Sequence, residues 1–156
     1  MALPALTNPL WQYSLQVYRR PGVEALCLRL QDDYSADVNL LLLNAWLIAS
    51  GGHLPEPAWQ QLLLEVAAWQ NQVVKLRTSR RALKQFAQQS PELNRLYSKV
   101  KQLELIGEQY QQAIMWDFAQ HNRIDEGGDW QVLVQLLHLP ESGLELDRLV
   151  VELPED

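Results

Sequence analysis

The chain has 156 residues, enough for one domain with a full apolar core, and 47% of them are hydrophobic, six being tryptophans. Cys27 is the single cysteine, which excludes an internal disulfide and any cysteine-rich metal cluster. The formal net charge of −6 excludes a uniformly basic, nucleic-acid-coating surface.

Met1 to Pro9 lacks the charged start and long apolar run of a signal peptide. Asn8-Pro9 supplies an N-cap followed by proline at the first helical position, predicting a helix to about Arg20. Pro21-Gly22 breaks it, and a second helix follows with the stripe Val23, Leu26, Cys27 and Leu30, on which Cys27 reads as a buried inert thiol. Asp32 to Ser35 forms a junction where Ser35 caps the next helix and Asp37 favours its positive end. That helix, about 37–50, is apolar around nearly its whole circumference and must be buried on most sides. It is too short for a membrane span, and Asn39 and Asn44 interrupt it, so a cytoplasmic protein with no membrane association is expected.

Gly51-Gly52 ends the central helix, and Pro57 opens a fourth with Trp59, Leu62, Leu63, Val66, Trp69, Val73 and Leu76 at helical spacing. Thr78 or Ser79 then starts a separate short basic helix to about Gln88. Ser90-Pro91-Glu92 opens a long helix, about 91–120, spanning about 45 Å at the usual rise. Asn122 to Gly128 reads as a loop and Trp130 to Leu139 as a short amphipathic helix. From Glu141 the tail alternates acids with Leu and Val, as either an extended arm or disordered chain. The predicted architecture is an all-α bundle over 1–121 around the 37–50 helix, followed by an acidic C-terminal appendage over 122–156.

Charge is strongly segregated. Residues 75–101 carry a local balance of +7 and residues 117–156 a balance of −8, predicting a basic surface and an acidic tail that either meet each other or separate partners. Arg77, Arg80, Arg81 and Lys84 recur at spacings of three and four and cluster on one helical side, where arginine forks suit phosphate or carboxylate. Glu104 and Glu108, four apart on a helix returning beside the basic one, are their expected internal partners. Asp33 and Asp37, also four apart, have the DxxxD spacing with which helical isoprenoid synthases hold magnesium against a diphosphate; Asp125 and Asp129 repeat it, but capping explains these acids as well. Asn39 and Asn44, on a helix with little exposed face, must each find hydrogen bonds between helices or to a ligand. His53, His121 and His138 form no metal-binding spacing, and Leu133 to Leu137 forms an LxxLL pattern of the kind that usually covers its own core.

Leu10-Trp11-Gln12-Tyr13-Ser14-Leu15, Leu30-Gln31-Asp32, Asp37-Val38-Asn39-Leu40-Leu41-Leu42, Leu76-Arg77 with Arg80-Arg81-Ala82-Leu83-Lys84, and Glu104-Leu105 with Glu108 together resemble an uncharacterised proteobacterial family of short proteins. The similarity covers about residues 8–120. Ser35 stands where that family commonly has Gly, and Gly107 where it has a small helix former such as Ala. The resemblance implies no activity. The expectation is a non-enzymatic protein that binds a protein partner, or an acidic or phosphate-bearing ligand, through its basic helix. The alternative is a small-molecule or Mg-diphosphate site lined by Asp33, Asp37, Asn39 and Asn44. No cofactor, metal or catalytic residue is expected, and homodimerisation through the long helix is a further expectation.

Overall fold

The computed structural model describes residues 5–154. Its helices are α1 (Pro9–Tyr18), α2 (Val23–Tyr34), α3 (Val38–Ala49), α4 (Glu56–Lys84), α5 (Pro91–Asn122) and α6 (Gln131–Leu136), followed by a 3-10 turn at Leu146–Leu149. The fold is all-α. Among the described residues there is no strand, only one isolated bridge between His53 and Ile124.

Local chemistry sets most boundaries. Asn8 accepts a hydrogen bond from the Trp11 amide at 2.9 Å, and Pro9 takes the first helical position of α1. Ser90 caps α5 in the same way through the Leu93 amide at 3.2 Å. Two expectations need correction. Asp37, not Ser35, caps α3: its Oδ1 accepts the Asn39 amide at 3.0 Å, while Ser35 closes α2 in the left-handed region at φ 53°. Nor does a separate helix begin at Thr78 or Ser79, because α4 runs unbroken to Lys84. The Thr78 hydroxyl donates back to the Val74 carbonyl at 3.0 Å, so it decorates the helix wall instead of capping a new start.

Helix α3 is the spindle of the fold. Leu40, Leu41, Leu42, Leu43 and Leu47 are essentially inaccessible, and α1, α2, α5 and the 3-10 turn pack around them. The chain beyond Asn122 shares this core. Leu133, Leu144, Leu146, Leu149 and Val151 are buried in the same cluster, and the Tyr13 hydroxyl donates to the Leu149 carbonyl at 2.7 Å while accepting the Val151 amide at 3.0 Å. Neither an extended free arm nor disorder describes 141–154. The buried Leu133 and Val134 of the LxxLL pattern also serve this core.

The long helices α4 and α5 pair antiparallel and outrun the core. Val73 is the last buried residue of α4 and Glu104 the first of α5. Everything between them is a two-helix hairpin extending about 15–20 Å further at the helical rise. Its inner seam (Leu76, Leu83, Leu93, Tyr97 and Val100) is only half-buried, since no third element among the described residues covers it.

Candidate functional site

A cleft opens where the hairpin leaves the core, between α1 and α2 on one side and α4 and α5 on the other. Its floor is a buried polar chain. Asp37 Oδ2 accepts from Gln111 Nε2 at 2.6 Å, and Gln111 Oε1 accepts from Asn39 Nδ2 at 3.0 Å. Gln112 Nε2 donates to Asn39 Oδ1 at 3.0 Å and to Ser14 Oγ at 2.9 Å, and Ser14 Oγ donates to the Leu10 carbonyl at 2.9 Å. Gln111 and Gln112 are each 1% exposed. Buried amides of this kind are tolerated only when hydrogen-bonded, and here each satisfies the next.

Above the floor lies a charged layer. Arg77 Nε is 3.5 Å from Glu104 and its terminal nitrogen 3.3 Å from Glu108. Arg80 also bonds Glu104, which is itself 6% exposed, so one buried carboxylate is shared by two guanidinium groups. Nearer the mouth, both terminal nitrogens of Arg81 lie 3.1 Å from Asp32 Oδ1. No ion pair among the described residues engages Lys84 or Lys101 at the same mouth.

Burial shapes the titration of this layer. It raises the Asp37 carboxyl above the usual range, against hydrogen bonds from Gln111 and the Asn39 amide and the attraction of Arg77. Burial and then the neighbouring Glu104 charge raise Glu108, with Arg77 opposing. The Tyr18 hydroxyl is pushed up strongly by burial and by its contact with Cys27, and burial likewise raises the Cys27 thiol.

The open volume has two joined parts. The inner recess, about 310 Å³, is rimmed by Trp11, Leu15, Tyr18 and Leu105 above Arg77 and Glu108. The outer one, about 870 Å³, lies between Leu28 of α2 and Arg80, Arg81, Lys84, Tyr97 and Lys101 of the hairpin. Glu24, Leu28, Arg80, Glu104, Leu105 and Glu108 border both. The result is an apolar-rimmed groove with Arg80, Arg81, Lys84 and Lys101 on its hairpin side, Glu104 and Glu108 at depth and Glu24 and Asp32 across on α2.

Arg77, Arg80, Arg81, Lys84, Glu104, Glu108, Asp37 and Asn39, which come from three helices, therefore converge on one place. Asp33 and Asn44 do not join them. Asp33 is exposed near the end of α2, one side of the cap that Asp37 forms, so the DxxxD spacing does not produce facing carboxylates. Asn44 leaves α3 on another side and donates to the Asp129 carbonyl at 3.1 Å. Asp125 pairs with Arg123 at 2.9 Å, and Asp129 caps the Gln131 amide. Among the described residues, no three His, Cys, Asp or Glu side chains stand close enough to hold a metal ion. Sequence reading missed Ser14, Gln111, Gln112 and Tyr97. The adjacent glutamines falling on the buried side of α5 were the available signal.

Residues 9–115 match the model of a family described as a protein of unknown function, DUF2390. The chain belongs to this family. Every cleft residue named above lies inside the DUF2390 span, and the acidic segment after Asn122 lies outside it. No curated protein and no solved structure matches the chain. No helix among the described residues is long and apolar enough to cross a membrane.

Proposed function

We propose that the protein is a non-enzymatic binding module that holds a segment of a protein partner in the groove between α2 and the α4–α5 hairpin. The segment is amphipathic: its apolar side rests on Leu28, Tyr97 and Leu105, and its carboxylate groups meet Arg81, Lys84 and Lys101. The observation that supports this reading is the outer recess itself, about 870 Å³ of open groove that carries Arg81, Lys84 and Lys101 on its hairpin side and keeps Leu28 46% and Leu105 50% exposed beside them. Apolar anchors beside convergent charges are what helix-in-groove recognition uses. The buried polar chain below is saturated by its own hydrogen bonds, which suits a scaffold better than a reacting centre.

The test must spare the charged layer, because Arg77 and Arg80 neutralise the buried Glu104. An Arg81→Glu, Lys84→Glu, Lys101→Glu variant changes only the mouth. Affinity capture with this variant, shown folded by circular dichroism, is expected to lose partners that the wild type retains. An identical partner set rejects the groove.

A second reading, a small anionic ligand in the inner recess, is favoured by Arg77 and Arg80 reaching it with side chains 21% and 20% exposed. Pyrophosphate, with and without magnesium, would then raise the melting temperature, since a ligand that binds only the folded state stabilises it. A flat response removes this reading.

A further inference from the structure

The hairpin has a second long face, turned away from the groove, on which no described residue from Val74 to Leu103 is buried. On α5 it carries Leu96, Leu103 and Ile106, which are 46, 53 and 52% exposed. Beside them the seam shows the half-buried edge of α4, where Trp69, Leu76 and Leu83 recur every seventh residue, with the Trp69 ring 4.8 Å from that of Tyr110 and its indole nitrogen donating to the Gly107 carbonyl at 2.8 Å. A two-helix hairpin buries only its seam. Two hairpins laid face to face complete the four-helix packing that the seam alone leaves unfinished.

Charge along this face identifies the occupant. Arg95, Ile106 and Asp117 follow one another at intervals of eleven residues on α5, three helical turns each, so all three lie on nearly the same line of the helix. These three exposed positions therefore read basic, apolar, acidic from the hairpin tip toward the core. Arg95 is tied only loosely to Glu92, at 3.7 Å with both side chains more than 70% exposed, and Asp117 is exposed. A two-fold axis through Ile106 superposes the pattern on its own complement. Arg95 of one copy then stands opposite Asp117 of the other, twice, with Ile106 against Ile106 between them. Such self-complementarity is what an isologous interface requires, and a parallel arrangement would instead oppose like charges.

We propose that this face is the interface of an antiparallel homodimer, formed by the two α4–α5 hairpins about a two-fold axis at Ile106. Stable interfaces bury about 1,200–2,000 Å² in total, which requires α4 as well as α5 from each copy. The dimer leaves both grooves open on the outer faces, so it stands or falls separately from the partner-binding reading.

Sedimentation of the full chain over about 1–100 μM is expected to show a species of twice the 18.0 kDa chain mass. Ile106→Cys is expected to give a disulfide-linked dimer under mild oxidation, whereas Leu64→Cys, 75% exposed on the other side of α4, is not; Cys27 is buried and silent. Arg95→Asp and Asp117→Arg are each expected to weaken the dimer by about fivefold or more, and the double variant to recover wild-type affinity within about twofold. A monomer throughout the range overturns the proposal. So does crosslinking through Leu64→Cys in place of Ile106→Cys, or a dimer whose affinity ignores or gains from the single charge reversals.

Discussion

Glu104 is the residue on which the charged layer turns. Removing its charge leaves the Arg77 and Arg80 guanidinium groups, each about four-fifths covered, facing a neutral amide. Breaking one side of a fully buried pair costs about 3–5 kcal/mol, and the partial exposure here reduces that to about 2 kcal/mol for Glu104→Gln. Glu92→Gln, which loses the exposed Arg95 pair and one charge in the first turn of α5, should cost under about 1 kcal/mol; urea unfolding of the two variants measures the contrast. Glu108 adds a pH dependence. Its folded-state pKa lies above the unfolded one, so the native state holds the proton more tightly and stability falls as pH rises from the unfolded value near 4.3 through the raised one. Glu108→Gln should flatten that part of the stability–pH curve, and a difference curve rising with pH would contradict the raised pKa. Ser35 is a third case: a serine at φ 53° carries strain of about 1 kcal/mol, which Gly relieves while gaining freedom in the unfolded chain. Ser35→Gly is expected to stabilise by about 0.5 kcal/mol, a melting shift of about 1–2 °C.

At the scale of the helices, what could be read in advance depended on how local the deciding interaction was. Asn8-Pro9, Ser90-Pro91 and Gly51-Gly52 act on their own backbone, and they marked the helix ends where the structure has them. The unbroken leucines of Leu40–Leu43 made α3 a buried spindle whatever surrounded it. Thr78 and Ser79 misled because a hydroxyl beside a helix has two uses, capping the next turn or bonding back to the last one, and only the neighbouring helix decides. The eightfold meeting of Arg, Lys, Glu, Asp and Asn in the groove was half visible: the spacing foretold the Arg–Glu pairing and a polar pocket with Asp37 and Asn39, but nothing local foretold that the second would lie beneath the first. Stability should follow the same division. The hairpin from Val74 to Leu103 has no buried residue, so its amides are expected to exchange through local opening at low free energy, while those of Leu40 to Leu47 exchange only on global unfolding. Hydrogen exchange resolved by residue distinguishes this from a molecule that opens as one unit.

On the scale of the whole molecule, the two charged regions stay apart. Among the described residues, no ion pair joins residues 75–101 to residues 117–154; the former pair with Glu104, Glu108, Asp32 and Glu92, and the latter are joined to α2 through Arg29 and Glu145 at 3.1 Å. What fastens the C-terminal segment is apolar burial together with the Tyr13 hydroxyl. Leu144, Leu146, Leu149 and Val151 close over the α1 and α3 side of the core, and fully burying such side chains is worth about 1.5–3 kcal/mol each. Truncation after Pro140 should therefore remove about 5 kcal/mol or more, comparable with the whole stability of a typical domain, and leave a chain without a cooperative melting transition. Tyr13→Phe is the finer probe, because it keeps the ring and removes one hydroxyl that both donates to Leu149 and accepts from Val151. Both backbone groups are then left buried without that partner, for an expected cost of about 2 kcal/mol. A truncated chain that melts cooperatively at the wild-type temperature, with Tyr13→Phe neutral, would mean that α1 to α5 form a complete core without the segment. If both lose stability in the stated order, the acidic C-terminus is a structural wall of the same domain that carries the groove.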